Sequence, residues 1–132
     1  MFLVDTSVWV DYFRDIPTES VEKLQNILDS SLHYGITSDI LQEILQGTDS
    51  DAAFIRMERY FRNQIFYHPR DPISSYIEAA RIYARCRRVG LTVRSTIDCL
   101  VAQIAVEQGL LLLHSDKDFD WIASVVPELE IF

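Results

Sequence analysis

The 132-residue chain is 48% hydrophobic with only four glycines and four prolines, a composition that supports one packed domain and leaves little for a linker or disordered tail. A formal net charge of −8 argues against a general nucleic-acid binder. No segment approaches the roughly 18 apolar residues of a membrane span, and no signal-peptide pattern is present, so a soluble, cytoplasmic protein is expected; Cys86 and Cys99 are too few for a disulfide framework or a zinc site and read as free thiols in or near the core.

Met1 to Val4 is an apolar run that leads straight into Asp5, Thr6 and Ser7, the pattern of a buried strand whose C-terminal tip opens into a site. Val8, Trp9, Tyr12 and Phe13 then make a helical stripe that Pro17 ends. Thr18 and Glu22 open a second helix to about Ser30, with Val21, Leu24, Ile27 and Leu28 inward. Leu32–Thr37 reads as a short strand, Ser38 as the cap of a helix carrying Ile40, Leu41, Ile44 and Leu45, and Gly47 as its stop. A helix over Asp51–Arg62 is expected to bury Phe54, Ile55, Tyr60 and Phe61, and a brief strand follows at Ile65–Tyr67. Asp71 and Pro72 predict the start of a long helix to Val89, closed by Gly90. Ser95 or Thr96 caps a helix to Gln108 that turns Ile97, Val101 and Ile104 inward, with Gly109 as its stop. Leu110–Leu113 is the second unbroken apolar run, and it too ends on polar and acidic residues, His114 to Asp118. A short helix near Asp120–Ser124 and a strand at Leu129–Phe132 complete the chain. Strands alternating with helices predict a parallel α/β sheet with right-handed crossovers.

Ligands bind such sheets beyond the carboxyl ends of the strands. Asp5, the pair Asp39 and Glu43, and the pair Asp116 and Asp118 each follow a predicted strand, and Asp98 lies in the first turn of the helix leading to the last of these strands. Glu43 falls outside the arc of about 140° spanned by the apolar residues of its helix, which keeps it out of the core. Asp98 stacks below Ala102 and Ala105, at the edge of a buried face. Taken singly, each acid has a plainer reading: helix N-cap for Asp5, half of a capping box with Ser95 for Asp98, solvated helix residue for Glu43, and cap and first-turn acids for Asp116 and Asp118. Gathered together they would repel one another unless a cation joined them, and oxygen-only ligands select the hard ions Mg²⁺ or Mn²⁺. Such ions activate water and stabilise charge developing on a phosphodiester.

The charge is unevenly spread. Arg56 to Arg94 contains nine basic and three acidic residues, net +6, and the rest of the chain is net −14. Arginine outnumbers lysine ten to two, and its planar fork suits phosphate. Arg85, Arg87, Arg88 and Arg94 approach the Asp98 helix and are the candidates for contact with a phosphate backbone, against the plainer reading of a charged outer helix face.

Hydrophobic-Asp-Thr-Ser at the N-terminus, Glu43 in the helix after the second strand, Ser-Thr-Ile-Asp-Cys-Leu-Val-Ala around Asp98 and Leu-Leu-His-Ser-Asp-Lys-Asp-Phe around Asp116 resemble the PIN-domain ribonucleases, and more narrowly the VapC toxins of toxin–antitoxin pairs. The resemblance implies a single PIN domain over residues 1–132, with a three-layer fold: a central, mostly parallel β-sheet flanked by helices. It also implies a Mg²⁺- or Mn²⁺-dependent endoribonuclease acting on structured RNA such as tRNA or rRNA, inhibited by a VapB-type antitoxin and commonly a homodimer. Asp5, Glu43, Asp98 and Asp116 match the family's four acids. Asp118 matches a second acid whose contribution varies, Thr6 or Ser7 the hydroxyl that supports the first Asp, and Ser115 is a further supporting position. An antitoxin arginine entering the acidic pocket would suit the −14 of the outer segments. Two other readings compete. A receiver-like Mg²⁺-binding signalling domain needs an acidic pair at the end of the first strand, where this chain has one Asp; a PIN-like module that only binds a partner is opposed by the presence of all four acids.

Overall fold

The computed structural model describes residues 1–132 and forms a five-stranded, wholly parallel sheet in the order β3-β2-β1-β4-β5. The strands are β1 (Phe2–Val4), β2 (Tyr34–Ile36), β3 (Ile65–Phe66), β4 (Leu111–Leu113) and β5 (Glu130–Ile131). Between them lie α1 (Thr6–Phe13), α2 (Glu19–Leu28), α3 (Ser38–Gln46), α4 (Asp51–Arg62), α5 (Ser74–Arg88), α6 (Thr96–Gln108) and α7 (Lys117–Val125).

β1 is central because it is apolar on both faces: Phe2, Leu3 and Val4 are all buried, as a parallel strand covered on two sides must be. It pairs with β2 on one side and β4 on the other, Val4 opposite Leu113, and the Asp5 N–H extends the ladder to Leu113 O at 2.9 Å. Connections run outward to β2 and β3 in one direction and, after a return, to β4 and β5 in the other. Right-handed crossovers place the two sets of helices on opposite faces, and α1 to α4 accordingly pack among themselves, as do α5 to α7. The sheet reverses direction of growth between β1 and β4, so the crevice at their carboxyl ends is where a ligand site belongs. Gly35 lets β2 and β3 close up, because a Cβ there would collide with the Ile65 carbonyl and the Tyr67 ring.

Several boundaries differ from expectation. Thr37, not Ser38, caps α3, its hydroxyl accepting from Ile40 N–H at 3.2 Å. α5 begins at Ser74 rather than Pro72, because Asp71 Oδ1 accepts from both Ile73 and Ser74 N–H and holds the preceding residues in a turn. α7 begins at Lys117, not near Asp120, because Asp116 caps it by accepting from Asp118 N–H at 3.0 Å. Trp9 and Phe61 are buried as predicted, but Phe13, Phe54, Ile55 and Tyr60 remain exposed; Phe13 and Tyr60 pack on the buried pair with their rings 5.9 Å apart and are each still 38% exposed. Both cysteines are free and buried, and no helix is long and apolar enough to cross a membrane.

Candidate metal centre and active site

The crevice at the β1–β4 tips is a cavity of about 400 Å³ without an apolar residue in its lining. Asp5, Glu43, Asp98, Asp116 and Asp118 all reach it, from four separate elements of the fold. Arg94 is the one cation there, and Thr6, Ser7 and Ser95 add hydroxyls.

Asp5 caps α1, so its cap role and its place in the cavity coexist in one side chain. Its Oδ2 accepts from Ser7 N–H at 3.0 Å and from Ser7 Oγ at 2.6 Å. The Ser7 hydroxyl in turn accepts from Ser115 N–H at 2.9 Å, tying the tips of β1 and β4 together; Ser115 thus supports the site through its backbone. Of the two candidate hydroxyls, Ser7 therefore orients Asp5, while Thr6 Oγ1 donates to Glu43 Oε2 at 2.5 Å and orients the acid on α3. Asp5 is 5% exposed, and burial pushes its carboxyl up to about 6, against the lowering effect of Ser7 and with a further rise from the Glu43 charge.

Asp98 lies in the first turn of α6, a helix buried on most of its circumference. Ser95 caps that helix, its hydroxyl accepting from Ile97 N–H at 3.2 Å, and no bond returns from Ser95 N–H to the Asp98 carboxylate, so the capping box is only half formed. Asp98 is 8% exposed, and its carboxyl is pushed up to about 8, by burial first and then by the charges of Asp5, Asp116, Asp118 and Glu43. A buried acid facing four others without a counter-cation of its own is the arrangement a bound cation relieves.

Asp116 and Asp118 are held by Arg94. The Arg94 N–H donates to Asp118 Oδ2 at 3.0 Å, its Nε lies 3.4 Å from both Asp118 oxygens, and its terminal nitrogen donates to Asp116 Oδ1 at 3.1 Å. Asp118 is 1% exposed, which makes it an integral wall of the cavity and not merely a first-turn acid. Asp98, Asp116 and Asp118 each offer an oxygen within 4.8 Å of the others; Asp5 shares the cavity but is not part of this tight trio. The donors are all carboxylate or hydroxyl oxygens, so a hard divalent ion fits and a zinc-type site does not.

Other sequence candidates fall elsewhere. Asp39, expected beside Glu43, borders a separate apolar cavity formed with Tyr76, Tyr83 and Ile97. Arg85, Arg87 and Arg88 are exposed on α5 and outside the acidic cavity, leaving Arg94 as the arginine that reaches it. His114 is buried; its Nδ1 accepts from Asp116 N–H at 3.2 Å, a structural role that positions the acid's backbone. The Arg94 clamp on two acids is the feature the spacing alone did not show; its proximity in sequence to Asp98 was the available signal.

An acid-lined crevice at the carboxyl edge of a parallel sheet is the arrangement expected of a PIN domain, and residues 2–125 match the PIN domain family, to which the chain belongs. Within it the chain is 36% identical over 126 residues to Ribonuclease VapC11 of Mycobacterium tuberculosis and to VapC ribonuclease Mb1587 of Mycobacterium bovis, covering 95% of this chain and 93% of each relative. It is a member of the VapC ribonuclease family. The fold is similar to those in VapBC2 from Rickettsia felis bound to a promoter DNA fragment (TM-score 0.72, 15% identity, 99% of this chain and 96% of the other) and VapBC-1 from nontypeable Haemophilus influenzae (TM-score 0.73, 14% identity, 99% and 96%). FitAcB from Neisseria gonorrhoeae is a further fold neighbour (TM-score 0.69, 18% identity, 100% and 96%).

Proposed function

We propose that this protein is a divalent-metal-dependent endoribonuclease that hydrolyses a phosphodiester bond in structured RNA, such as tRNA or rRNA, and acts as the toxin of a toxin–antitoxin pair in the cytoplasm. The observation that carries the reading is Asp98: a buried carboxylate, pushed up to about 8, that faces Asp116 and Asp118 across a cavity with no apolar lining. Asp98, Asp116 and Asp118, with Asp5 beside them, would hold Mg²⁺ or Mn²⁺. When bound, the ion supplies Lewis-acid activation of water and neutralises charge on the phosphodiester.

The chain's own residues set the geometry. Ser7 fixes the Asp5 carboxylate by two hydrogen bonds to Oδ2, which leaves Oδ1 for an ion. Thr6 binds one oxygen of Glu43 and leaves Oε1 to accept a proton from a water that attacks the phosphorus, as the bond from phosphorus to the leaving ribose oxygen breaks and that oxygen takes a proton from solvent. Arg94 keeps Asp116 and Asp118 side by side without a metal. Arg85, Arg87 and Arg88, exposed and adjacent along α5, are assigned to the RNA backbone, where an arginine fork suits phosphate.

A VapB-type antitoxin as partner is supported by fold neighbours that are VapBC complexes. A homodimer is part of the same proposal. The test is cleavage of total RNA by the purified protein with Mg²⁺ or Mn²⁺, beside an EDTA control and the variants Asp5→Asn and Asp98→Asn. Equal cleavage in EDTA, or unimpaired variants, would overturn the reading. Sequencing of RNA ends after brief induction then identifies the substrate.

A further inference from the structure

A second cavity, of about 490 Å³, adjoins the acidic one and is lined by Ser7, Arg94, Ser115, Asp116, Lys117 and Trp121. Ser7, Arg94 and Asp116 belong to both, so these three side chains form the partition between them. The chemistry changes across it. One side presents five carboxylates; the other presents Arg94 and Lys117 against Asp116 alone, with an indole at the far wall.

Lys117 is exposed and makes no ion pair, whereas four of the protein's other basic residues, Lys23, Arg62, Arg81 and Arg94, are paired with carboxylates. Trp121 follows it by four residues on α7, so the two side chains are neighbours on one helix face. Lysine over tryptophan is often no more than a covered apolar face. Here the ammonium does not lie over the ring; the protein's cation–π contact is Lys23 on Phe132. The half-buried Trp121 thus lines the cavity with no cation over its ring, and the side chain of Arg94, 70% exposed, can present its outer edge to an anion while its inner edge holds the two acids.

A strand cut in the acidic cavity must leave it past a wall of carboxylates that repels the neighbouring phosphates. We infer that the second cavity is the subsite for the nucleotide flanking the scissile bond: Lys117 and the outer edge of Arg94 receive its phosphate, and Trp121 stacks on its base. The inference rests on the ribonuclease reading above and adds to it the route of the strand and its single-stranded state at that point. Stacking on an aromatic ring and a cationic contact to the backbone are the two elements with which proteins hold unpaired nucleotides.

Trp9 is the only other tryptophan and is fully buried among Tyr12, Tyr34, Tyr60 and Phe61, so indole fluorescence reports on Trp121. The probe is a mixed-sequence hexaribonucleotide pool with phosphorothioate linkages, titrated into the intact protein in Mg²⁺ buffer. Binding should quench the emission, and Trp121→Phe should remove the quench. Trp121→Ala should raise Kd about fivefold or more, the size of one lost base stack. Lys117→Gln should lower the slope of log K against log salt by about 0.7, as one lost phosphate contact on a single strand. In cleavage assays both substitutions should raise KM and leave kcat near wild type. Absence of quenching, or quenching that survives Trp121→Phe, overturns the subsite. Wild-type cleavage with KM unchanged in both variants overturns it while the ribonuclease reading stands. Trp121-dependent quenching without any cleavage retains the nucleotide subsite and removes the ribonuclease reading.

Discussion

Thr6 Oγ1 donates to Glu43 Oε2 at 2.5 Å, joining the first turn of α1 to α3 across 37 residues of sequence. The contact fixes one carboxylate oxygen and so aims the other. Thr6→Val keeps the shape and removes the donor, and it should lower kcat/KM about 10- to 100-fold, the range for a lost partner of a site carboxylate. Thr6→Ser should restore most of it. Steady-state cleavage of a defined RNA by the two variants checks this, with thermal melting to show that both are folded.

Asp5 and Asp98 have carboxyls raised to about 6 and about 8, each mainly by burial. A carboxyl with a folded-state pKa above its unfolded value binds more protons when folded, so the stability it allows at low pH is lost as pH rises toward the folded value. The metal-free protein should therefore melt at a progressively lower temperature from about pH 4 to pH 8 and level off above. Asp98→Asn, which removes the acid with the larger shift, should flatten most of that slope and raise the melting temperature at pH 8, while abolishing cleavage. Because a divalent ion displaces protons from such ligands, Mg²⁺ should stabilise the wild type more at pH 8 than at pH 5. Melting curves in EDTA and in Mg²⁺ across this range provide the measurement.

Arg94 occupies the same carboxylates that would ligate an ion. Arg94→Gln removes the competing charge but keeps the backbone N–H on Asp118. Calorimetric titration with Mn²⁺ alone should show binding up to about fivefold tighter than wild type, the scale of one exposed charge. If the arginine served only to brace the acids, affinity would fall instead.

Gly35 faces the Ile65 carbonyl and the Tyr67 ring so closely that no side chain fits. The carbonyl belongs to the paired strand and cannot turn away. Gly35→Ala should cost about 1–3 kcal/mol, as overpacking does, and should be read as a lowered midpoint in urea denaturation. The damage falls at β2–β3, so residual cleavage at low temperature should persist.

Apolar runs made the parallel sheet and both acidic strand tips legible from the chain alone: Leu3–Val4 and Leu112–Leu113 are fully buried neighbours, and Asp5 and Asp116 follow them as expected. Caps were less legible because two adjacent residues often compete for the role. Thr37 won over Ser38, and Asp116 starts α7 at Lys117, earlier than the expected Asp120–Ser124. Asp118 reads from the sequence as a first-turn acid as readily as a ligand; its partner in the structure is Arg94, 24 residues away, and long-range pairing leaves no periodic trace. The exposure of Phe13 and Phe54 was hidden for a related reason, since a helical stripe shows which face is apolar but not how fully it is covered.

β1 contributes the first acid of the chain, yet one of its two sheet partners is β4, which ends at Leu113, and the cleft also requires Asp116 and Asp118 beyond it. During translation, residues 2–5 can therefore pair on only one side until residues 111–113 have been made. A truncated product ending before β4 would carry Asp5 and Glu43 but no cleft. Release of the nascent chain before β4 should thus yield inert fragments, and any toxicity would arrive in one step, once Asp116 and Asp118 join Asp5 at the cleft.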